Sequence, residues 1–188
     1  MCHVIIYNMR ILGIDPGLGR CGFGLIETSS RDGARALDFG VITTTVDMNL
    51  PARLLELYDS LVEVFEETKP ELVAVEKLFF AKNITTGIAV AEARGIVLLA
   101  AAQSDVTVYE YTPNEIKSCL TGYGAATKTQ ISEMVRIHLG LEEKPKPDDV
   151  ADALAVAITC SFLYQVSKEE TYNFSNSRGR KVRVRKKV

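Results

Sequence analysis

The stretch Arg10-Ile-Leu-Gly-Ile-Asp15 is a short apolar segment that ends in an acidic residue. Its branched apolar residues predict a buried β-strand, and Pro16-Gly-Leu-Gly19 after it predicts a turn. A second strand at 21–27 follows closely enough to pair with the first as a hairpin. We expect the first strand to lie in the centre of a sheet, with Asp15 at its carboxyl end.

Beyond this hairpin the chain alternates between strand and helix patterns. Apolar side chains recur every three or four residues across 50–67, which predicts an amphipathic helix. The other predicted elements are strands at 36–45, 71–76 and 106–111 and helices at 84–103, 113–120, 128–139 and 148–164. Three strands in hairpin order, followed by alternating helices and strands, indicate an α/β fold with a five-stranded mixed sheet flanked by helices.

Four acidic residues lie where an ionised side chain is costly. Asp15 and Glu76 each end an apolar strand, while Asp149 and Asp152 are three residues apart at the start of an alanine-rich helix and so share one face. Carboxylates beside buried apolar groups require a cation, and Mg²⁺ prefers oxygen ligands. We therefore predict that these four side chains bind Mg²⁺, and that Asp148 is the N-cap of the last helix.

Each acid also has a purely structural interpretation. Asp15 precedes Pro-Gly and could be a turn residue, Glu76 could pair with a neighbouring lysine, and Asp149 could complement the helix dipole. Asp152 lies one turn inside the helix, where a cap is not needed. The structural interpretation of the whole set requires all of these to hold independently.

Over residues 9–165 the chain resembles the RuvC family of bacterial Holliday-junction resolvases. The resemblance rests on four motifs in the family's order: Ile11-Leu-Gly-Ile-Asp15-Pro-Gly, Val73-Ala-Val-Glu76, Ala91-Glu-Ala-Arg-Gly95 and Asp149-Val-Ala-Asp152. It implies a ribonuclease-H-like fold, a homodimer, and resolution of four-way DNA junctions by paired, symmetric nicks during recombination and DNA repair. It also implies cooperation with the RuvA and RuvB branch-migration complex.

For the site, the resemblance implies two Mg²⁺ ions held by Asp15, Glu76, Asp149 and Asp152, with Mn²⁺ as a substitute. Phosphodiester hydrolysis builds negative charge on an attacking and a leaving oxygen, and two metals roughly 4 Å apart stabilise both. Asp15 is assigned the bridging position because it follows the central strand. Glu76 and either of the helix acids then complete the ligand set.

The resemblance also implies residues that contact DNA. Phe79 matches an aromatic residue that stacks on an unpaired base, and Lys117 and Lys128 match contacts to the phosphate near the cut. The alternatives are core packing for Phe79 and solvation for the lysines. Arg20 is a weaker candidate, and the helix at 84–103 is the implied subunit interface.

Charge is unevenly distributed along the chain, although the net charge is only −2. The last eleven residues hold seven of the 22 basic residues and no acid, which leaves 15 basic against 24 acidic residues, a balance of −9, in 1–177. Such a basic end suits contact with a polyanion, or it is a disordered solubilising end. We expect an extension at 1–8, a nuclease domain at 9–166 and a flexible basic tail at 167–188.

Three other function classes compete with a junction resolvase. ATP-binding enzymes of the actin, Hsp70 and sugar-kinase type have a phosphate loop that also begins with Gly-Ile-Asp, but they need two lobes and 188 residues supply one. A non-catalytic junction-binding protein and a nuclease for other branched nucleic acids remain alternatives. No apolar stretch approaches the roughly 20 residues of a membrane-spanning helix, so we expect a cytoplasmic protein.

Overall fold

The fold is taken from a computed structural model, which describes residues 8–29, 33–78 and 84–164. The predictions for residues 1–7, Phe79 and the tail at 167–188 fall outside these ranges. Within the ranges the strands are β1 (Met9–Asp15), β2 (Arg20–Ser29), β3 (Gly33–Thr43), β4 (Leu72–Glu76) and β5 (Thr107–Tyr111). The helices are α1 (Leu50–Thr68), α2 (Ile84–Gln103), α3 (Pro113–Thr121), α4 (Lys128–Leu139) and α5 (Asp148–Leu163).

The strands form one mixed sheet in the order β3-β2-β1-β4-β5. β1 pairs antiparallel with β2 and parallel with β4, and β4 pairs parallel with β5. The predicted five-stranded α/β fold is therefore confirmed, and β1 is central as expected. Because β1 and β4 run in the same direction, Asp15 and Glu76 end at the same edge of the sheet.

Helices cover both faces of the sheet, and β1 alternates between the two cores. Leu12 and Ile14 face a core that includes Leu57 and Leu61 of α1. Ile11 faces the opposite core, which is built from α3, α4 and α5. Among the described helices, none combines the length and apolarity that crossing a bilayer requires.

Three glycines on adjacent strands allow α5 to lie directly on the sheet backbone. A Cβ on Gly13 would be 2.0 Å from the carbonyl oxygen of Ala153, and one on Gly22 would be 2.1 Å from that of Asp149. A Cβ on Gly24 would meet the side chain of Leu154 at 2.5 Å. These contacts leave no room for any side chain at the three positions, so they set the depth of α5 against β1 and β2.

The prediction that Asp148 is the N-cap of α5 is wrong. Pro147 occupies that position in an extended conformation, without a side-chain cap, and Asp148 is the first helical residue. The carbonyl of Pro147 accepts hydrogen bonds from the backbone N–H groups of Val150 at 3.0 Å and Ala151 at 3.4 Å. The proline thus starts the helix through its backbone, and the Asp148 carboxylate lies in the first turn, where it complements the helix dipole.

Gly13→Ala is expected to destabilise the fold by about 3 kcal/mol or more, because the added methyl group overlaps the backbone of α5. The melting temperature should fall by about 10 °C for a chain of this size. Differential scanning calorimetry measures it. The control is Gly19→Ala, whose Cβ would meet only the Arg53 guanidinium at 3.5 Å. An equal melting temperature for both variants would contradict the close contact.

Candidate active site

Two of the four predicted acids end neighbouring strands. Asp15 is the last residue of β1 and Glu76 the last residue of β4. The preceding residues, Ile14 and Val75, are partners in the parallel register. Adjacent strands lie about 4.8 Å apart, so the two carboxylates leave the sheet side by side.

The other two acids reach the same edge from α5. Asp15 is the register partner of Gly22 in β2, and Gly22 packs directly against the backbone of Asp149. Asp152 follows one turn later and is only partly exposed, whereas residues 150, 151 and 153–160 around it are buried. The glycine contact therefore holds both α5 carboxylates over the ends of β1 and β4.

The electrostatics of the site follow from this crowding. Burial, together with the negative charges of Asp152, Glu76 and Asp149, raises the pKa of Asp15 to about 7. The pKa of Glu76 is also raised, first by burial and then by the charge of Asp152. Each of the four acids thus takes part in one mutually repelling cluster, which favours a bound cation.

Two basic side chains contact the cluster. Lys128, the first residue of α4, donates a hydrogen bond of 2.9 Å from Nζ to Oδ2 of Asp152. Arg20, at the start of β2, places Nη2 2.6 Å from Oδ2 of Asp149. The hydrogen bond to Asp152 raises the pKa of Lys128, and the Lys128 charge partly offsets the repulsion at Asp15.

A cavity of about 200 Å³ opens beside the cluster. Its polar lining comes from Glu76, Asp152, Lys117 and Lys128, and the remainder of its lining is apolar. The charge of Lys117 also acts on Glu76 and offsets part of the rise in its pKa, which burial and Asp152 cause. The structure therefore places both lysines that were predicted to contact DNA at the carboxylate cluster.

The chemistry and spacing of the four carboxylates decide whether they suit Mg²⁺. Within the described parts of the chain, no three acidic, histidine or cysteine side chains are grouped closely enough to enclose an ion as they stand. The ion pairs explain this, because Asp149 is bonded to Arg20 and Asp152 to Lys128. The donor set still fits Mg²⁺, since it consists of carboxylate oxygens, and one of them, Oδ2 of Asp152, already binds a cationic group, the Lys128 ammonium.

Arg20, a weaker candidate from the sequence, lies at the carboxylate cluster through its ion pair with Asp149. The signal was the alternation in Arg20-Cys-Gly-Phe-Gly24, where every second residue faces α5 and two of those residues are glycines. That pattern places the Arg20 side chain on the α5 face, next to the helix start. By contrast, Arg94 of the proposed interface helix pairs within the chain with Glu110 of β5.

Comparisons with known proteins identify relatives along most of the chain. The family model described as crossover junction endodeoxyribonuclease RuvC matches residues 11–160. The protein of that name from Caldicellulosiruptor saccharolyticus is 48% identical over 162 residues, which cover 84% of this chain and 98% of the relative. The one from Chloroflexus aggregans is 51% identical over 152 residues, covering 80% and 91%.

Among solved structures, the fold is similar to that of Thermus thermophilus RuvC in complex with Holliday junction substrate. The two chains superpose with a TM-score of 0.80 at 37% sequence identity. The matched region covers 84% of this chain and 96% of that chain.

The raised pKa of Asp15 predicts how its replacement changes stability in the presence of EDTA. Between its ordinary pKa, about 4, and the folded value of about 7, the folded protein binds more protons than the unfolded chain. Stability contributed by this group therefore falls as pH rises through that interval. Asp15→Asn should be more stable than wild type by about 2–4 kcal/mol at pH 8 and equally stable below pH 4.

Urea denaturation at the two pH values measures this difference. Asp59→Asn is the control, since Asp59 is an exposed residue of α1 and its replacement should change stability little at either pH. An Asp15→Asn protein no more stable than wild type at pH 8 would contradict a buried, crowded carboxylate.

Proposed function

Because this chain belongs to the RuvC family of crossover junction endodeoxyribonucleases, we propose that the carboxylate cluster is the active site at which it resolves four-way DNA junctions. The fold is ribonuclease-H-like, as the family resemblance implied. The reaction is hydrolysis of phosphodiester bonds by paired, symmetric nicks, in recombination and DNA repair. Family membership sets aside the ATP-binding enzymes as an alternative.

The observation that carries this proposal is the convergence of Asp15, Glu76, Asp149 and Asp152 from three separate elements at one edge of the sheet. A junction-binding protein without catalysis would gain nothing from mutually repelling acids, because carboxylates also repel DNA phosphates. The cluster is therefore better explained by hydrolysis than by binding alone.

We assign the cluster two Mg²⁺ ions, for which Mn²⁺ would substitute. Asp15, at the end of the central strand, would contribute to both ions, and Glu76 and the α5 acids would complete the ligand set. When bound, such a pair of ions activates a water nucleophile and stabilises the departing oxygen. The carboxylates fix the ion positions, and their burial strengthens the electrostatic interactions by excluding water.

Lys117 and Lys128 supply positive charge on the cavity side of the cluster. Lys128 is 72% exposed and Lys117 is partly exposed, so both can approach a phosphate. We assign them to the DNA strand beside the cut, where each neutralises charge near the phosphorus. Phe79 follows β4 by three residues, and its assignment to base stacking rests on the family resemblance alone.

A homodimer is proposed through α2. Ile88 and Leu99 are 53% and 47% exposed, and with Glu92 and Gly95 they form a stripe at helical spacing. Ala93 and Val97, on the opposite side, are buried against the sheet. Two exposed apolar side chains with a glycine between them allow a second α2 to pack closely. A two-fold dimer would present two active sites to the two cut strands.

This proposal also includes cooperation with RuvA and RuvB and action in the cytoplasm. It further includes contact between the basic tail at 167–188 and a polyanion. The family resemblance supports the partners. The charge of the last eleven residues supports the tail contact, as do the DNA phosphates of the substrate. The proposed domain division is an extension at 1–8, the nuclease domain at 9–166 and the tail at 167–188.

Asp15→Asn is expected to lower the rate of cleavage of an immobile four-way junction by about 10²–10³-fold or more, because it removes one charge from a pre-organised site. Junction affinity should stay within about threefold, a change of less than 1 kcal/mol, since the basic contacts remain. Gel analysis of nicked strands with Mg²⁺ and binding by fluorescence anisotropy measure the two effects.

Asp148→Asn is the matched control, with the same change of charge beside Asp149 but outside the cluster, and it should retain cleavage. Cleavage by Asp15→Asn at the rate of the control would refute the site. Linear duplex of the same sequence is run in parallel, and equal cleavage of duplex and junction would refute the substrate.

For the dimer, Leu99→Glu should raise the dissociation constant about tenfold or more, because a charge buried in an apolar contact costs at least about 1.4 kcal/mol. Analytical ultracentrifugation measures the association. Leu55→Glu is the control, since Leu55 is 58% exposed on α1 and its replacement should leave the dimer intact. A dimer that is unaffected by Leu99→Glu would place the interface elsewhere.

A further inference from the structure

Two basic side chains from different elements neutralise the two α5 carboxylates from the solvent side. The Arg20 side chain is 51% exposed while its partner Asp149 is 27% exposed. The Lys128 side chain is 72% exposed and Asp152 again 27%. In both pairs the acid is fixed by the buried helix, and the cation reaches it from outside.

These pairs differ from the buried ion pair of Arg94 and Glu110. Arg94 and Glu110 are 19% and 4% exposed, so separating them would leave a buried charge without its partner, which is strongly destabilising. Ion pairs with an exposed partner contribute little to stability. Arg20 and Lys128 can therefore leave their carboxylates at small cost when another cation replaces them.

We propose that Arg20 and Lys128 are exchangeable counterions of the active site, and that Arg20 becomes a phosphate contact once it is displaced. In the absence of divalent ions the two side chains hold Asp149 and Asp152. On loading with divalent ions, both side chains move outward and bind phosphate groups of the DNA. This inference deepens the proposed function and rests on it.

The chemistry of arginine suits this exchange. A guanidinium forms paired hydrogen bonds with a carboxylate or with a phosphate in the same planar geometry, so Arg20 can trade one partner for the other. Its position at the start of β2, next to the carboxyl end of β1, keeps it at the cluster in both states. The exchange would couple ion binding to DNA binding, because each phosphate contact becomes available only when the ions are in place.

The first test measures Mn²⁺ binding to the DNA-free protein by titration calorimetry. Arg20→Gln should bind Mn²⁺ about two- to fivefold more tightly than wild type, since the competing cation and its exposed ion pair are gone. Lys128→Gln should change in the same direction. Arg35→Gln is the matched control, because Arg35 and Glu27 form an ion pair of the same kind, an exposed arginine on a partly buried acid, at 71% and 27% exposure, towards the far end of β2. The Mn²⁺ affinity of Arg35→Gln should equal that of wild type.

The second test separates exchange from simple charge repulsion. Binding of a four-way junction is measured in Ca²⁺ and in EDTA over a range of salt concentrations. Arg20→Gln should weaken junction binding about fivefold in Ca²⁺ and less than about twofold in EDTA. In Ca²⁺ only, the slope of log affinity against log salt concentration should decrease by about the amount expected for one phosphate contact. The Arg35→Gln control should match wild type in both.

Unchanged or weaker Mn²⁺ binding by Arg20→Gln would overturn the proposal, since Arg20 would then support Asp149 rather than compete for it. An equal loss of DNA affinity with and without Ca²⁺ would also overturn it. Wild-type cleavage of the junction in Mg²⁺ is measured alongside. If wild type cleaves the junction normally and either of these two results is found, the exchange is wrong but the proposed function stands. If wild type binds Mn²⁺ but does not cleave the junction, the proposed function is wrong.

Discussion

The site depends on one packing contact, the close approach of α5 to the backbone of β1 and β2. Gly13, Gly22 and Gly24 contribute no side chain of the sheet to this contact, so α5 lies deeper than two ordinary layers of side chains would allow. This depth brings Asp149 and Asp152 to the ends of the central strands. A methyl group added at Gly13 or Gly22 would overlap the backbone of α5.

That packing creates an electrostatic conflict within the folded protein. It holds four carboxylates in a partly buried cluster and raises the pKa of Asp15 to about 7, which makes the ion-free fold less stable at neutral pH. Exposed basic side chains relieve part of the repulsion, and the divalent ions proposed for this site would relieve more. The fold would thus supply the stability for a site whose affinity for cations comes from its own unfavourable charge.

Much of the architecture could be predicted because local patterns and packing agree. The bounds of α2 and α4 follow from the sequence, and the acids that end β1 and β4 were evident as charges after apolar strands. The cap of α5 could not be predicted, since it depends on how the proline backbone presents its carbonyl group. The position of Arg20 could not be fixed either, because it depends on the pairing register of β1 with β2 and on the depth of α5.

The most direct measurement of the central claim is a crystal structure of the protein grown with Mn²⁺, with the ions located by their anomalous scattering. The account predicts peaks enclosed by oxygens of Asp15, Glu76 and the two α5 acids, with α5 still in contact with the glycines. Ions bound away from these carboxylates, or an α5 displaced from the sheet, would contradict it.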